Sequence, residues 1–322
     1  MPNLFLHHLR RLHLLLITFT AAILVILSAV PSVAISSEDI DNMSSQVTVL
    51  IGKKLQKGDL EEKREFNPGS GVIVGHQGNT YYVVTNTHVV KQPIIGGRWG
   101  VRTPDGEVYQ VIDQDNNMIR FGNYESNEKP IPGFDLALVK FTSNRDYPVA
   151  VMGNSLQLNT NDRVFISGWP APEDLTARRQ RQFISGIVAK IDPSPMDDGG
   201  YNLLYSNYTR PGMSGSPIFN AQGELVGIHG RGRKKVTYCV DPEINTDNSC
   251  GIQGIHLISQ VESKRIQLAF NPPPVKLAVI EQGRKSKAKA DVIEDIYKLF
   301  SDLRTPLHDC SPSVLIDQPD CN

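Results

Sequence analysis

Along the middle of the chain, apolar residues fall in short runs separated by turn residues. The runs Gln46 to Ile51, Gly71 to Val74, Thr80 to Thr85, Leu136 to Phe141, Arg163 to Ser167, Phe183 to Ile191, Leu203 to Tyr208, Glu224 to His229 and Ile252 to Ile258 are rich in β-branched and aromatic residues. Runs of this length and composition predict strands. His76-Gln77-Gly78-Asn79 lies between two of them and predicts a hairpin turn. No long helical period interrupts the region, so many short strands with Gly and Pro punctuation predict a sandwich or barrel.

Both ends follow other patterns. His7, His8, Arg10 and Arg11 precede a mostly apolar stretch from Leu12 to Val30 and then Pro31-Ser32-Val33-Ala34. That is the layout of a secretory signal peptide, with cleavage expected after Ala34. The rival reading is an uncleaved anchor, whose apolar run is near the lower length limit for crossing a bilayer. Only that reading implies a membrane partner, and both place the rest of the chain outside the inner membrane, in the periplasm or beyond. From Asn271 the chain enters Pro272-Pro273-Pro274, a stiff connector. A basic run from Arg284 to Lys289 follows, then Ile293, Ile296, Leu299, Phe300 and Leu303 at helical spacing. The amphipathic helix they predict either packs on the strands or mediates self-association. The expected organisation is a signal peptide over 1–34, a strand-rich domain over 35–270, and a connector, helix and cysteine-containing tail over 271–322.

With 322 residues, 40% of them hydrophobic, the chain can build one or two domains with a sizeable core. A formal net charge of -1 and dispersed Lys and Arg residues set nucleic-acid binding aside. Cys239 and Cys250 are 11 apart, as are Cys310 and Cys321, and two local disulfides suit an exported chain. Each would close a loop of about a dozen residues, worth roughly 3 kcal/mol. Neither pair has the close spacing that structural zinc sites favour, and nothing in the sequence implies a metal or an organic cofactor.

The most informative segment is Arg210-Pro211-Gly212-Met213-Ser214-Gly215-Ser216-Pro217, which presents one serine in a turn of small residues. His88 follows the run ending at Thr85, and Asp135 opens the run Asp135-Leu136-Ala137-Leu138-Val139. A serine hydroxyl needs a base within reach, and an imidazole suits that task near neutral pH. A carboxylate on the other ring nitrogen fixes the tautomer and stabilises the imidazolium. Asp135 suits this role because it sits against an apolar strand, whereas Asp105, Asp113, Asp115 and Asp162 lie in polar surroundings and read as turn or surface residues. His76, in the hairpin turn, reads as a loop residue.

The order His, Asp, Ser, at separations of 47 and 79 residues, is that of double-barrel serine proteases rather than of subtilisins or α/β-hydrolases. Through TNTHVV, GFDLALV and GMSGSP the chain resembles the trypsin-like (chymotrypsin-fold) serine endopeptidases of bacteria, from roughly Ile51 to Leu257. The resemblance implies an all-β fold of two six-stranded antiparallel Greek-key barrels with the site in the cleft between them, followed by a short helical extension. It implies hydrolysis of polypeptides by His88, Asp135 and Ser214, with the amides of Gly212 and Ser214 as the oxyanion hole. Met213 stands where digestive-type members carry an aspartate that pairs with a newly cut N-terminus, so that form of activation is not expected.

Thr209 and His229, with Gly230 beside them, match positions lining the primary pocket of glutamyl endopeptidases of the V8 type. A hydroxyl and a protonatable imidazole can bind a substrate carboxylate, and Arg210, Arg231 and Arg233 are placed to add positive potential. The expected cleavage is after Glu, then Asp. Tyr208 occupies the position where Lys or Arg specificity would need a carboxylate. The alternatives are a protease of other specificity and a non-cleaving peptide-binding relative. A quality-control protease with a peptide-binding appendage is disfavoured, because the residues from Asn271 fall short of the roughly 90 of a PDZ domain.

Overall fold

The structure is a computed structural model that describes residues 35–59, 68–91, 97–114, 116–124, 130–173, 178–232, 240–241 and 246–271. The leader expected over 1–34, the whole extension from 272 with Cys310 and Cys321, and Asp115, Arg233 and Cys239 lie outside the described residues. Among the described residues no helix is long and apolar enough to cross a membrane.

Two antiparallel sheets carry the fold. The first contains β1 (Thr48–Lys53), β2 (Gly69–Gln77), β3 (Thr80–Thr85), β4 (Arg98–Arg102), β5 (Val108–Ile112), β6 (Met118–Gly122) and β7 (Gly133–Thr142), in the order β5-β4-β1-β2-β3-β7-β6. The second is a closed barrel of β8 (Arg163–Gly168), β9 (Gln182–Ile191), β10 (Leu203–Tyr205), β11 (Pro217–Phe219), β12 (Leu225–Arg231) and β15 (Ser249–Gln253). Two-residue strands β13 (Val240–Asp241) and β14 (Thr246–Asp247) pair with each other. The fold is therefore mostly β with two barrel-like sheets, as expected. Among the described residues the first sheet has seven strands rather than six and shows no pairing between β5 and β6.

Side-chain alternation explains the continuous apolar runs. Along β3, Tyr81 and Val83 face the interior of the first sheet with Ile51, Ile73 and Val139, whereas Tyr82 and Val84 join the core between the two sheets. That shared core includes Leu136, Leu138, Phe165, Tyr201, Leu204 and Phe219. A strand buried on both faces loses its polar half, and the run becomes uniformly apolar.

The helices correct the sequence reading. Helix α1 (Ser37–Val47) takes in Gln46 and Val47, so the first strand begins at Thr48. Ser36 caps it, its hydroxyl accepting from the Asp39 N–H at 3.1 Å while Asp39 accepts from the Ser36 N–H at 3.3 Å, a reciprocal box that satisfies two orphan donors. Ile40 and Val47 are buried, and Arg181 reaches across to Asp41 and to Ser167 on β8. Ile252 to Ile258 is not one strand, because β15 ends at Gln253 and α3 (Gly254–Ser263) follows. Its Ile255, Leu257, Ile258 and Val261 are all buried, so the apolar run serves a helix packed on the barrels. The run from Leu203 leaves β10 at Tyr205, and Tyr208 is exposed.

Candidate active site

Strand register brings the first two residues together. Thr85 pairs with Ala137 at the end of the β3–β7 ladder, so the chain leaving β3 runs beside Leu136 and Asp135. The four-residue helix α2 (Thr87–Val90) forms there and is bonded to β7. The Thr87 hydroxyl donates to the Leu136 carbonyl at 2.6 Å, and the Asn86 amide to the Asp135 carbonyl at 2.7 Å. His88 then meets Asp135 twice, through its backbone N–H on Oδ1 at 2.9 Å and through ring Nδ1 on Oδ2 at 2.6 Å.

Asp135 is fully buried, whereas the His88 side chain is 26% exposed. Burial pushes the Asp135 carboxyl upward, but the His88 charge and the hydrogen bonds from His88 and Tyr201 outweigh it and hold the group below the usual carboxylate range. Asp135 is thus an anion that fixes the His88 ring through Nδ1 and makes no contact with Nε2.

Ser214 comes from the second barrel. The Gly215 N–H donates to the His229 carbonyl and the His229 N–H to the Ser216 carbonyl, both at 2.8 Å, which lays the serine turn along β12. Gly212 and Gly215 have φ of +95° and +87°, where a β-carbon is strained. Ser70 on β2 fastens the turn to the first sheet. Its N–H donates to the Ser214 carbonyl at 2.7 Å and its hydroxyl to the Gly212 carbonyl at 2.9 Å. The Pro211 carbonyl accepts from the Ala171 N–H at 2.7 Å. Among the described residues neither the Gly212 nor the Ser214 N–H has an acceptor, so both expected oxyanion donors are available. The Ser214 hydroxyl donates to the Gly230 carbonyl at 3.1 Å, not to His88.

The expected pocket residues also cluster here, with a different electrostatic character. His229 is 1% exposed, and its Nδ1 lies 2.6 Å from the Tyr205 hydroxyl. Burial, with a smaller contribution from the His88 charge, pushes its imidazole down to about 3, so the imidazole expected to be protonatable is neutral near pH 7. Thr209 is buried, with its hydroxyl 3.1 Å from that of Ser249. Arg210 pairs with Glu173 at 3.0 Å and Arg231 with Asp198 at 2.9 Å, which offsets part of the positive potential expected of them. Met213 is buried among Val164, Ile166 and Val226 and acts as core.

Three participants were missed in the sequence: Ser70, Tyr201 and Tyr205. Ser70 stands in the small-residue run Gly69-Ser70-Gly71 at the start of β2, a signal of close approach that could have found it. The tyrosines gave no signal, because a buried tyrosine in a strand-rich segment reads as core. Asp113, read as a surface residue, pairs with Arg120 at 2.8 Å with both side chains largely buried.

The Trypsin-like peptidase domain family model matches residues 69–228, a span that contains His88, Asp135 and Ser214. The serine protease Do-like HtrA of Bacillus subtilis is 25% identical over 173 residues, covering 53% of this chain and 35% of that protein. A serine protease HtrA-like of Staphylococcus aureus is 28% identical over 170 residues, covering 50% of this chain and 19% of that protein. The matched part thus spans about a third or less of these relatives' length. Among solved structures, the HtrA-type protease AlgW with tripeptide shares the fold, with a TM-score of 0.51 and 19% identity over 72% of this chain and 64% of that chain.

Proposed function

We propose that this protein, whose described part is a trypsin-like serine endopeptidase domain, works as an exported endopeptidase that cleaves polypeptides after an acidic side chain. The observation that carries the hydrolytic part is the His88–Asp135 pair beside a serine turn with two unengaged N–H groups. Rotation of the Ser214 side chain moves its hydroxyl from the Gly230 carbonyl toward His88 Nε2. The imidazole takes the proton as Oγ attacks the substrate carbonyl, and Asp135 stabilises the imidazolium. Charge developing on the carbonyl oxygen meets the Gly212 and Ser214 N–H groups, each worth roughly 2.7 to 4 kcal/mol of barrier. His88 then returns its proton to the leaving amine. The HtrA relatives support the reading as an endopeptidase.

Acid preference is supported by Thr209 and His229 standing beside the serine turn. Recognition of the carboxylate would rest on neutral hydrogen-bond donors, since His229 carries no charge near pH 7. A second reading, cleavage after a small or apolar side chain, is favoured by that neutrality and by the pairing of Arg210 and Arg231. Peptides differing only at the residue before the scissile bond, incubated with the full chain and with Ser214→Ala, separate the two. Ser214-dependent turnover that is highest after Glu sustains acid preference, and equal or better turnover after Leu or Ala sinks it.

Export is supported by the layout of residues 7–34, and N-terminal sequencing of the secreted protein should start at Ile35. A Cys239–Cys250 disulfide is supported by Cys250 being fully buried and not a free thiol. Self-association through the helix expected over 291–303 would show in sedimentation as a multiple of the monomer mass for the full chain and the monomer mass after truncation at 271.

A further inference from the structure

Asp135 accepts a third donor, its second from a side chain, that the chemistry above does not use. The Tyr201 hydroxyl donates to Asp135 Oδ2, the oxygen that also faces His88 Nδ1, at 2.5 Å. His88 and Asp135 belong to the first sheet, while Tyr201 leads into β10 of the second barrel, where Ser214 resides. The bond therefore joins the two halves of the site at the carboxylate. Tyr201 is fully buried, and burial followed by the Asp135 charge pushes its phenol well above the ordinary value, so it is a permanent donor.

The surroundings are shaped to hold this ring. A β-carbon on Gly230 would collide with the ring and hydroxyl of Tyr201. The Arg231 guanidinium lies 4.3 Å from the ring centroid on one face, and Asp198 holds Arg231. Asp198 also accepts from the Ile131 N–H at 2.7 Å, and the Asp135 N–H donates to the Gly199 carbonyl at 2.9 Å. The loop before Tyr201 is thus bonded to the segment before Asp135 at both ends. The titratable and charged groups around the contact are His88, Asp135, Arg231, Asp198, Tyr205 and His229.

We infer that Tyr201 is a positioning residue of the triad, a donor from the second barrel that fixes the Asp135 carboxylate and tempers its basicity, with Gly230 kept small to admit it. This rests on the endopeptidase reading. A carboxylate stripped of one donor is more basic and holds an imidazolium more tightly. The base is then released only at higher pH.

The test compares full-chain wild type, Tyr201→Phe and Gly230→Ala. Tyr201→Phe keeps the ring and removes the hydroxyl, whereas Gly230→Ala keeps the tyrosine and displaces it. Expected for Tyr201→Phe is a drop of about ten- to a hundredfold in kcat/KM, the rate equivalent of one hydrogen bond to a charged group. The acid limb of its kcat/KM profile should also move to higher pH. A merely structural role would lower the amount of folded enzyme without moving that limb. In a Ser214→Ala background, the resonance of the His88 Nδ1 proton should shift in both variants, a readout independent of turnover. An active wild type with neither limb nor resonance moved in either variant overturns the inference. A wild type that fails to cleave, with the resonance shifted, would instead sink the endopeptidase reading and leave the Tyr201–Asp135 coupling standing.

Discussion

His229 offers a quantitative check on how the second barrel treats a polar residue beside its serine turn. It is buried and bonded to Tyr205, and its imidazole sits at about 3 against roughly 6.5 in an unfolded chain. The folded state therefore refuses a proton that the unfolded state accepts between those values. The stability owed to the neutral ring is fully present above about pH 6.5 and is lost as pH falls toward 3, at about 1.4 kcal/mol per unit. Between pH 7 and pH 5 the loss is on the order of 2 kcal/mol. Asp135 acts in a separate window: its carboxyl is held below the ordinary value, so its contribution is present at pH 5 and fades only in stronger acid. Urea unfolding of Ser214→Ala protein at pH 7 and pH 5, with and without His229→Asn, isolates the term. Asparagine keeps a polar group near the Nδ1 position and does not titrate. The loss of stability between the two pH values should shrink by about 2 kcal/mol in the variant. Identical losses in both proteins would show that His229 protonates in the folded state, and the neutral-pocket argument would fall with it.

Other perturbations probe the remaining parts of the site. Ser214→Ala should lower kcat by about a million-fold while leaving the unfolding midpoint close to wild type, read by peptide cleavage and thermal melting. Gly212→Ala places a β-carbon against the Arg179 guanidinium at a φ of +95°, so kcat should fall roughly a hundred- to a thousandfold as the oxyanion donor turns away, with KM changing little. Thr87→Val removes the donor that satisfies the Leu136 carbonyl and should cost about 1–3 kcal/mol in denaturant unfolding. Arg181→Leu should cost only about 1 kcal/mol through loss of the Asp41 contact, because Asp41 is partly exposed and screened; a loss several times larger would show that α1 is anchored chiefly by this residue.

Much of the fold was legible because buried strands must be apolar wherever they lie, and turns must carry residues that tolerate them. The β2–β3 hairpin forms at the His76-to-Asn79 turn, and β3, β7, β8 and β9 cover the runs that announced them. The short strands β4, β5 and β6 gave weaker runs, since strands of five residues carry little periodicity. Ile252 to Ile258 misled because a short apolar run suits a strand and a buried helix equally, and only packing against the barrels chose the helix. Likewise α1 was hidden by its polar face, although its capping residues Ser36 and Asp39 were in plain view.

By itself, the sequence determined the chemistry available and its order: a histidine after one strand, an aspartate opening another and a serine in a turn of small residues. These are local requirements, set by backbone conformation and side-chain type within a few residues. What only the tertiary structure decided are the long-range pairings. The β3–β7 register brings His88 to Asp135, Ser70 ties the serine turn to the opposite sheet, and Tyr201 crosses between barrels to the buried carboxylate. Burial likewise set the charge of His229, for a protonation state depends on solvent exclusion and neighbouring charges that have no signature in residue order. Residues distant in sequence meet only through the packing of both sheets around one shared core, and there a tyrosine that reads as packing becomes a hydrogen-bond donor.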